Sequence, residues 1–325
     1  MAKKKSAAKS DDKDLKKKSK VKADKKKKSA KPEKPVKLGG WQQDPRTALR
    51  VDEHFDLAAF DRSGTPGWTL GRKAAEAFME QRAQHLSDLQ EQLFANGKTG
   101  SRKRILVVAQ GLDTAGKGGL ARHVMGQVDP QGVALKAFKA PTPEERAEPF
   151  LARIERALPK PGMIGFFDRS QYEDMLVPGV NGMGAEELAE RGRMINDFEK
   201  QLVDDECVIL KVCLMVSYGE QGRRLLERLD RPDKHWKFSP HDLEVRGQWF
   251  KYQSVYQEVL RQTSTDYAPW MVIPADHKWY ARAAVSEALT RSLEEMELTW
   301  PEADFNVAEE RARLALTLDA EPTLS

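Results

Sequence analysis

The chain has 325 residues, 40% of them hydrophobic and 32% charged, enough for one large domain or two small ones. No stretch approaches the ~18 consecutive apolar residues of a membrane helix, so no helical membrane span is expected. The formal charge of +4 is unevenly spread: residues 1–37 hold 17 Lys against four Asp and one Glu, a net of +12, and the remainder carries −8.

Residues 1–37 have almost no apolar side chains, and a segment that cannot bury surface is expected to be a disordered, Lys-rich tail. It lacks the apolar core of a secretory signal and has too many acids and too few Arg for a typical transit peptide. Its charge suits either a solubilising tail or an arm for polyanions such as nucleic acid, polyphosphate or anionic lipid. Residues 38–71, rich in Gly, Pro, Asp and Trp, read as an extended lead-in. Over 72–96, Ala75, Phe78, Met79, Leu86, Leu89 and Leu93 follow helical spacing, and Gly97 reads as the stop. These pieces make an N-terminal extension at 38–100, ahead of a core at 101–300 and a C-terminal tail at 301–325.

The apolar run Ile105–Ala109 predicts a buried strand. It leads into QGLDTAGKGG (110–119), whose Gly116-Lys117-Gly118-Gly119 opens a helix expected to reach about Met125. Strand, glycine-rich turn and helix in that order are the layout of a phosphate-binding P-loop. Gly111, Ala115, Gly116, Gly118 and Gly119 are the candidate positions whose backbone lines the phosphates. Lys117 adds a full positive charge and the helix N-terminus a partial one. A standard P-loop follows its lysine with Ser or Thr, whose hydroxyl binds Mg²⁺. Gly118 stands there in this chain, and the loop carries Asp113 instead. A carboxylate facing phosphates needs a cation between them, so Asp113 reads as a metal- or phosphoryl-facing carboxylate in place of the missing hydroxyl.

Val133–Lys139 is a candidate second strand, and Thr142-Pro143-Glu144-Glu145 starts a helix expected to run to about Ala157. GMIGFFDRS (162–170) is a third strand ending at Asp168, where the Mg²⁺-holding acid of P-loop proteins stands. Arg169 would aim a fixed cation at the same crevice. Tyr172, Glu173 and Asp174 either orient the site or cap the next helix; with Lys139 they are candidate nucleotide contacts. A helix over about 185–204 precedes a fourth strand, Cys207–Val216, whose two cysteines read as buried thiols of a reducing cytoplasm. The six histidines show no metal-ligand spacing. Arg223, Arg224, Arg228, Arg231, Lys234 and Lys237 then cluster in a segment, about 219–247, that fits a basic lid closing over phosphates. Interleaved Glu227 and Asp230 fit a solvated, charge-paired helix as well. A fifth strand, Trp270–Pro274, has Asp276, Lys278 and Arg282 beyond it and a helix near Tyr280–Met296; Trp270 and Trp279 read as core packing. Strands alternating with helices predict an α/β fold, a parallel sheet flanked by helices with its ligand site beyond the carboxyl ends of the strands.

Five segments carry a family resemblance: QGLDTAGKGG, FKAPTPEE (138–145), GFFDRSQYEDMLV (165–177), RLDRPDKHWKFSPHDLE (228–244) and APWMVIPADHKWYAR (268–282). Together they resemble the polyphosphate kinase 2 family, the polyphosphate-dependent nucleotide phosphotransferases, over about residues 40–300. The resemblance implies a P-loop kinase core related to thymidylate kinases. It implies reversible Mg²⁺-dependent phosphoryl transfer between inorganic polyphosphate and ADP or AMP, giving ATP or ADP. By motif, Asp113, Lys117, Asp168 and Arg169 map to catalytic positions, Asp113 and Asp168 being the metal-facing acids. RLDRPDKHWK maps to the lid, and because members are commonly dimers or tetramers a homo-oligomer is expected. HVMGQVDPQG and FKAPTPEE resemble members acting on AMP as well as ADP, although those members often carry Asn and His where this chain has Asp168 and Gln171. Two other functions fit the same residues: an ATP-dependent nucleotide kinase of this fold, and a non-catalytic polyanion-binding P-loop protein.

Overall fold

The computed structural model of the chain describes residues 40–318; the Lys-rich segment 1–37, with its expected disorder and polyanion contacts, lies outside the described residues. A short helix α1 (Pro45–Ala48) is followed by α2 (Arg72–Lys98), β1 (Arg104–Gln110), α3 (Lys117–His123), β2 (Val133–Ala137), α4 (Pro143–Arg146), α5 (Ala152–Glu155) and β3 (Ile164–Asp168). Next come α6 (Glu173–Val180), α7 (Ala185–Asp204), β4 (Cys207–Met215), α8 (Tyr218–Asp230), α9 (His241–Gly247) and α10 (Trp249–Thr263). The chain continues with β5 (Trp270–Pro274), α11 (Lys278–Glu294) and α12 (Val307–Ala315). No helix among the described residues is long and apolar enough to cross a membrane.

The strands form one sheet in the order β2-β3-β1-β4-β5, every neighbouring pair parallel and the whole flanked by helices. All seven residues of β1 are buried, because a central parallel strand is covered on both faces. The chain fills the β3 and β2 side of β1 before it crosses to β4 and β5. Strand order therefore reverses at β1, and a crevice opens beyond its carboxyl end. The outer edge of β5 is covered by the lead-in: Val51 N–H donates to Trp270 O (2.8 Å) and Val272 N–H to Leu49 O (2.9 Å). Trp41 then packs edge-on against Trp68 (5.4 Å between centroids) and beside Tyr280 of α11 (5.9 Å).

Several sequence expectations are corrected here. The helix expected from Thr142 to about Ala157 is two single turns, α4 and α5. Thr142 does form a reciprocal capping box with Glu145, but Pro149 removes a backbone donor and restricts Glu148, so the helix cannot run through. The second strand ends at Ala137 rather than Lys139 and lies at the sheet edge, with Leu135 exposed. The C-terminal tail contains a helix, α12, capped by Asn306. Arg82 and Gln90 interrupt the apolar stripe of α2 yet are buried; Arg82 pairs with Glu287 (3.1 Å) and Glu294 (3.0 Å) of α11.

Gly97 does not stop α2, which continues to Lys98 with Thr99 as its cap. The glycine serves a close approach instead: a Cβ there would meet Gly162 Cα at 2.6 Å and Pro161 O at 2.8 Å. Helix propensity alone favours Gly97→Ala by about 1 kcal/mol. The steric contact reverses that sign, and we expect Gly97→Ala to lose about 1–3 kcal/mol, read as a lower urea midpoint at unchanged slope.

Candidate active site

The P-loop joins β1 to α3 and bends where the residues permit it. Gly111 has φ +141° and Gly116 φ +122°. At Gly111 a Cβ would stand 2.5 Å from Leu214 O on β4, so the loop lies against the neighbouring strand only because this side chain is absent. Thr114 is left-handed too, at φ +68°. Gly118 meets nothing within 4 Å of a built Cβ, so its place in the loop does not depend on the missing side chain. The Lys117 ammonium is buried and donates back to Gly111 O (2.5 Å).

At the end of β3, Arg169 adopts φ +65°, a left-handed conformation that costs a residue with a Cβ about 1–2 kcal/mol. The turn aims its guanidinium across the crevice, where Nη2 donates to Asp113 Oδ1 (3.0 Å). Burial works against the Arg169 charge, but Glu173, Asp113 and Asp168 outweigh it and hold its pKa above the ordinary arginine value. Asp168 lines the same cleft as Asp113 and Lys117.

Two cavities meet at this point. The larger, about 760 Å³, runs over the P-loop and under the lid, past Arg228, Arg231, Lys234 and Lys237. Its lining also includes Arg122, Lys278 and Arg282, none of them among the sequence candidates for phosphate contact. Burial and neighbouring arginines push the pKa of Lys278 and of Arg282 down, with Glu227 opposing at Lys278 and Glu76 at Arg282. The smaller cavity, about 440 Å³, has Leu176, Val177, Val245, Tyr252 and Tyr256 in its wall, with Glu173, Asp174 and Arg153 as polar groups. Asp113, Phe138, Lys139 and Arg169 line both.

The structure separates three sequence candidates from this constellation. Tyr172, expected near a nucleotide, is wholly buried, its hydroxyl donating to Glu199 (2.6 Å) and accepting from Lys211 (2.9 Å). Arg223 is exposed and paired with Glu220, on the side of α8 away from the cleft lining. Arg224 lines the cleft, but its donors are spent on backbone. Nη1 reaches Thr114 O (2.9 Å), Nη2 reaches Ala275 O (2.6 Å) and Asp276 O (3.0 Å), and Nε pairs with Glu220 (2.7 Å). Helix α8 ends at Asp230 before Pro232, so Arg231 is a cap residue, paired with Asp233 (2.9 Å), rather than part of a continuous helical face. The cleft also holds Asp242, which accepts from Arg228 Nη1 (3.1 Å) and ties α9 to α8 within the lid. Within the quoted SPHDLE stretch nothing but position distinguished it.

Glu173 is nearly buried beside Arg169. Gln110, with its amide oriented to satisfy both neighbours, donates to Glu173 (2.9 Å) and accepts from Ser170. Burial pushes the Glu173 pKa up, with Arg169 and Lys117 opposing. A carboxyl whose folded pKa is raised contributes stability that is whole below its ordinary 4.5 and is lost as pH climbs through the folded value. Thermal unfolding of Glu173→Gln should therefore match the parent at acid pH and exceed it progressively toward neutrality; parallel curves would contradict this placement. Arg223→Ala should change melting and turnover little. Arg224→Ala should lower both, by about 1–3 kcal/mol in stability, because buried carbonyls lose their donor.

Comparisons with known proteins agree with this geometry. A family model for Polyphosphate kinase 2 (PPK2) matches residues 69–301. An AMP/ADP-polyphosphate phosphotransferase of Meiothermus ruber is 40% identical over 257 residues, 79% of this chain and 95% of that protein. An ADP-polyphosphate phosphotransferase of Rhodopseudomonas palustris is 38% identical over 232 residues, 67% of this chain and 79% of its own. The crystal structure of Polyphosphate Kinase 2 from Arthrobacter aurescens TC1 superposes with a TM-score of 0.83 at 48% identity, covering 85% of this chain and 98% of that one. A parallel sheet with a P-loop at its switch point, and a family match over most of the chain, have one reading: this chain belongs to the polyphosphate kinase 2 family.

Proposed function

We propose that the protein transfers a terminal phosphoryl group between inorganic polyphosphate and a nucleoside di- or monophosphate, ADP or AMP. The observation that carries this reading is the pair of cavities that share Asp113, Phe138, Lys139 and Arg169. The large cationic cleft suits a linear polyanion. The smaller pocket, walled by aliphatic and aromatic side chains, suits a nucleoside with its phosphate directed at the shared wall. Donor and acceptor would then meet in line at Arg169, Asp113 and Lys117.

Two polyanions repel where they react, so the work of the site is charge neutralisation and alignment. Lys117 and the P-loop amides hold the transferring phosphate. Arg169 steadies charge on the equatorial oxygens, and its bond to Asp113 fixes the direction of both side chains. Asp113 orients the acceptor phosphate, which is already a competent nucleophile and needs no strong base. Lid cations Arg228, Arg231, Lys234 and Lys237 close over the polymer, while Arg122, Lys278 and Arg282 continue the cationic lining beyond the P-loop. Lys139, Glu173 and Asp174 are the proposed nucleotide contacts at the pocket end.

The donor set fits magnesium. Asp113 and Asp168 offer hard carboxylate oxygens, and no group of three or more His, Cys, Asp or Glu among the described residues forms a closed metal cage. Mg²⁺ is characteristically held by one or two carboxylates plus substrate phosphates and water. Asp113 and Asp168 would hold such an ion, and it would supply charge neutralisation for the approaching phosphates. The body of the chain is proposed to act in the cytoplasm as a homo-oligomer, with the Lys-rich segment 1–37 recruiting polyanions.

The test is product formation from purified protein, Mg²⁺ and long-chain polyphosphate, with ADP and AMP in separate reactions. ATP from ADP, or ADP then ATP from AMP, is the expected result. Product that requires ATP as donor would replace this reading with a nucleotide kinase, and no product from folded protein would replace it with a binding protein. Lys117→Ala should lower kcat at least about a hundredfold while the protein stays folded; near-parental turnover would remove Lys117 from the site.

A further inference from the structure

We infer that the buried Lys211–Glu199 ion pair, remote from the cleft lining, is a positioning device that holds Arg169 in its left-handed turn. Both side chains are fully buried, Lys211 in the middle of β4 and Glu199 on α7. The Lys211 ammonium donates to Glu199 Oε2 (2.6 Å), to the Tyr172 hydroxyl (2.9 Å) and to Thr263 O (2.6 Å), and it lies near the faces of Tyr172 and Trp270. Glu199 Oε1 accepts from two consecutive residues of the segment that follows Arg169: Gln171 Nε2 (3.0 Å) and the Tyr172 hydroxyl (2.6 Å).

The segment after β3 is therefore two-sided. Asp168, Arg169 and Glu173 line the cleft or the pocket, while Ser170, Gln171 and Tyr172 turn into the core. A left-handed residue that carries a Cβ persists only where its surroundings over-determine it. Two hydrogen bonds to one carboxylate, Ser170 Oγ on Gln110, and the Tyr172 ring packed edge-on against Trp270 (4.7 Å) supply that over-determination. A buried charge pair is an expensive way to hold a core together, and apolar residues of similar volume do so as well or better. Directional constraint on the backbone is what an apolar replacement would not provide. On the cleft side the result of that constraint is the 3.0 Å contact between Arg169 and Asp113.

This inference rests on the proposed role of Arg169, and the experiment separates the two. The double replacement Glu199→Leu with Lys211→Met removes the pair without stranding either charge. Tyr172→Phe, a smaller change, removes one bond to Glu199 and serves equally where the double variant fails to fold. Each is made with and without Arg169→Ala, and kcat and KM for ADP and for polyphosphate are measured alongside melting.

The expected result has three parts. Each network variant stays folded, the double variant melting lower because Gln171 Nε2, the Tyr172 hydroxyl and Thr263 O lose their partners. Its kcat falls about tenfold or more for the double variant and a few-fold for Tyr172→Phe, with KM values within about threefold. The Arg169→Ala penalty then shrinks by the same factor in the variant background, because the arginine is already misplaced. Parental kcat in a folded network variant would overturn the inference, as would an undiminished Arg169→Ala penalty beside a reduced kcat, which marks a general packing role. An Arg169→Ala change with no effect in the parent would instead overturn the role given to Arg169 itself.

Discussion

The guanidinium of Arg224 holds the crevice together. Its donors reach carbonyls of the P-loop and of the turn after β5, and Glu220 on its own helix fixes its angle. Three chain segments far apart in sequence thus share one buried cation at the carboxyl end of the sheet. Without it the buried Ala275 carbonyl would lose this donor, at a cost of about 1–3 kcal/mol, and the half-buried carbonyls of Thr114 and Asp276 would lose theirs. Lys117, Asp113 and the glycine turns keep their positions on that foundation. An arginine suits the task because its planar fork presents several donors in fixed directions, which a lysine cannot do.

Around that strut the cleft gathers cations, several of them tied to acids, as in Arg228–Asp242 and Lys234–Asp233. Most surface arginines of the chain have acidic neighbours, as in Arg72–Glu76 and Arg191–Glu187. Lys278 and Arg282 sit near other cations as well as near Glu227 and Glu76, and burial together with the cationic neighbours pushes the pKa of each down. An anionic ligand would relieve the repulsion among these cations. The neighbouring pocket is built on the opposite plan, apolar walls with few polar groups, and the two plans meet at a single ion pair, Asp113–Arg169.

Much of this was legible in the sequence for a physical reason. Central parallel strands are covered on both faces, so β1, β3, β4 and β5 stand out as short apolar runs, and motif glycines mark the turn between β1 and α3. The P-loop lysine, Asp113, Asp168 and Arg169 are near neighbours of those runs, and their convergence follows from the topology. Other residues were not legible because sequence carries composition and spacing but not partners. Arg223 and Arg224 are adjacent and identical, yet one is solvated and the other is a buried strut. Tyr172 lies inside a motif but on its core-facing side. Gly97 looked like a helix stop because close backbone approach to Gly162 leaves no mark in the sequence of α2. Lys211 interrupts an apolar strand, and only the positions of Glu199, Tyr172 and Thr263 explain how it is tolerated there.

The two cysteines of the chain both lie on β4, deep in the sheet. Burial pushes the Cys207 thiol up to about 11 and the Cys213 thiol higher still, so neither offers a thiolate to solvent at neutral pH. Both thiols being buried, alkylating probes are expected to leave the folded protein unlabelled, and a cysteine introduced on its surface would be the one exposed thiol. Trp236, 78% exposed in the lid and part of the cleft lining, is a natural site for such a label. The fold thus comes prepared for site-specific spectroscopy of its own lid, with no native cysteine to remove first.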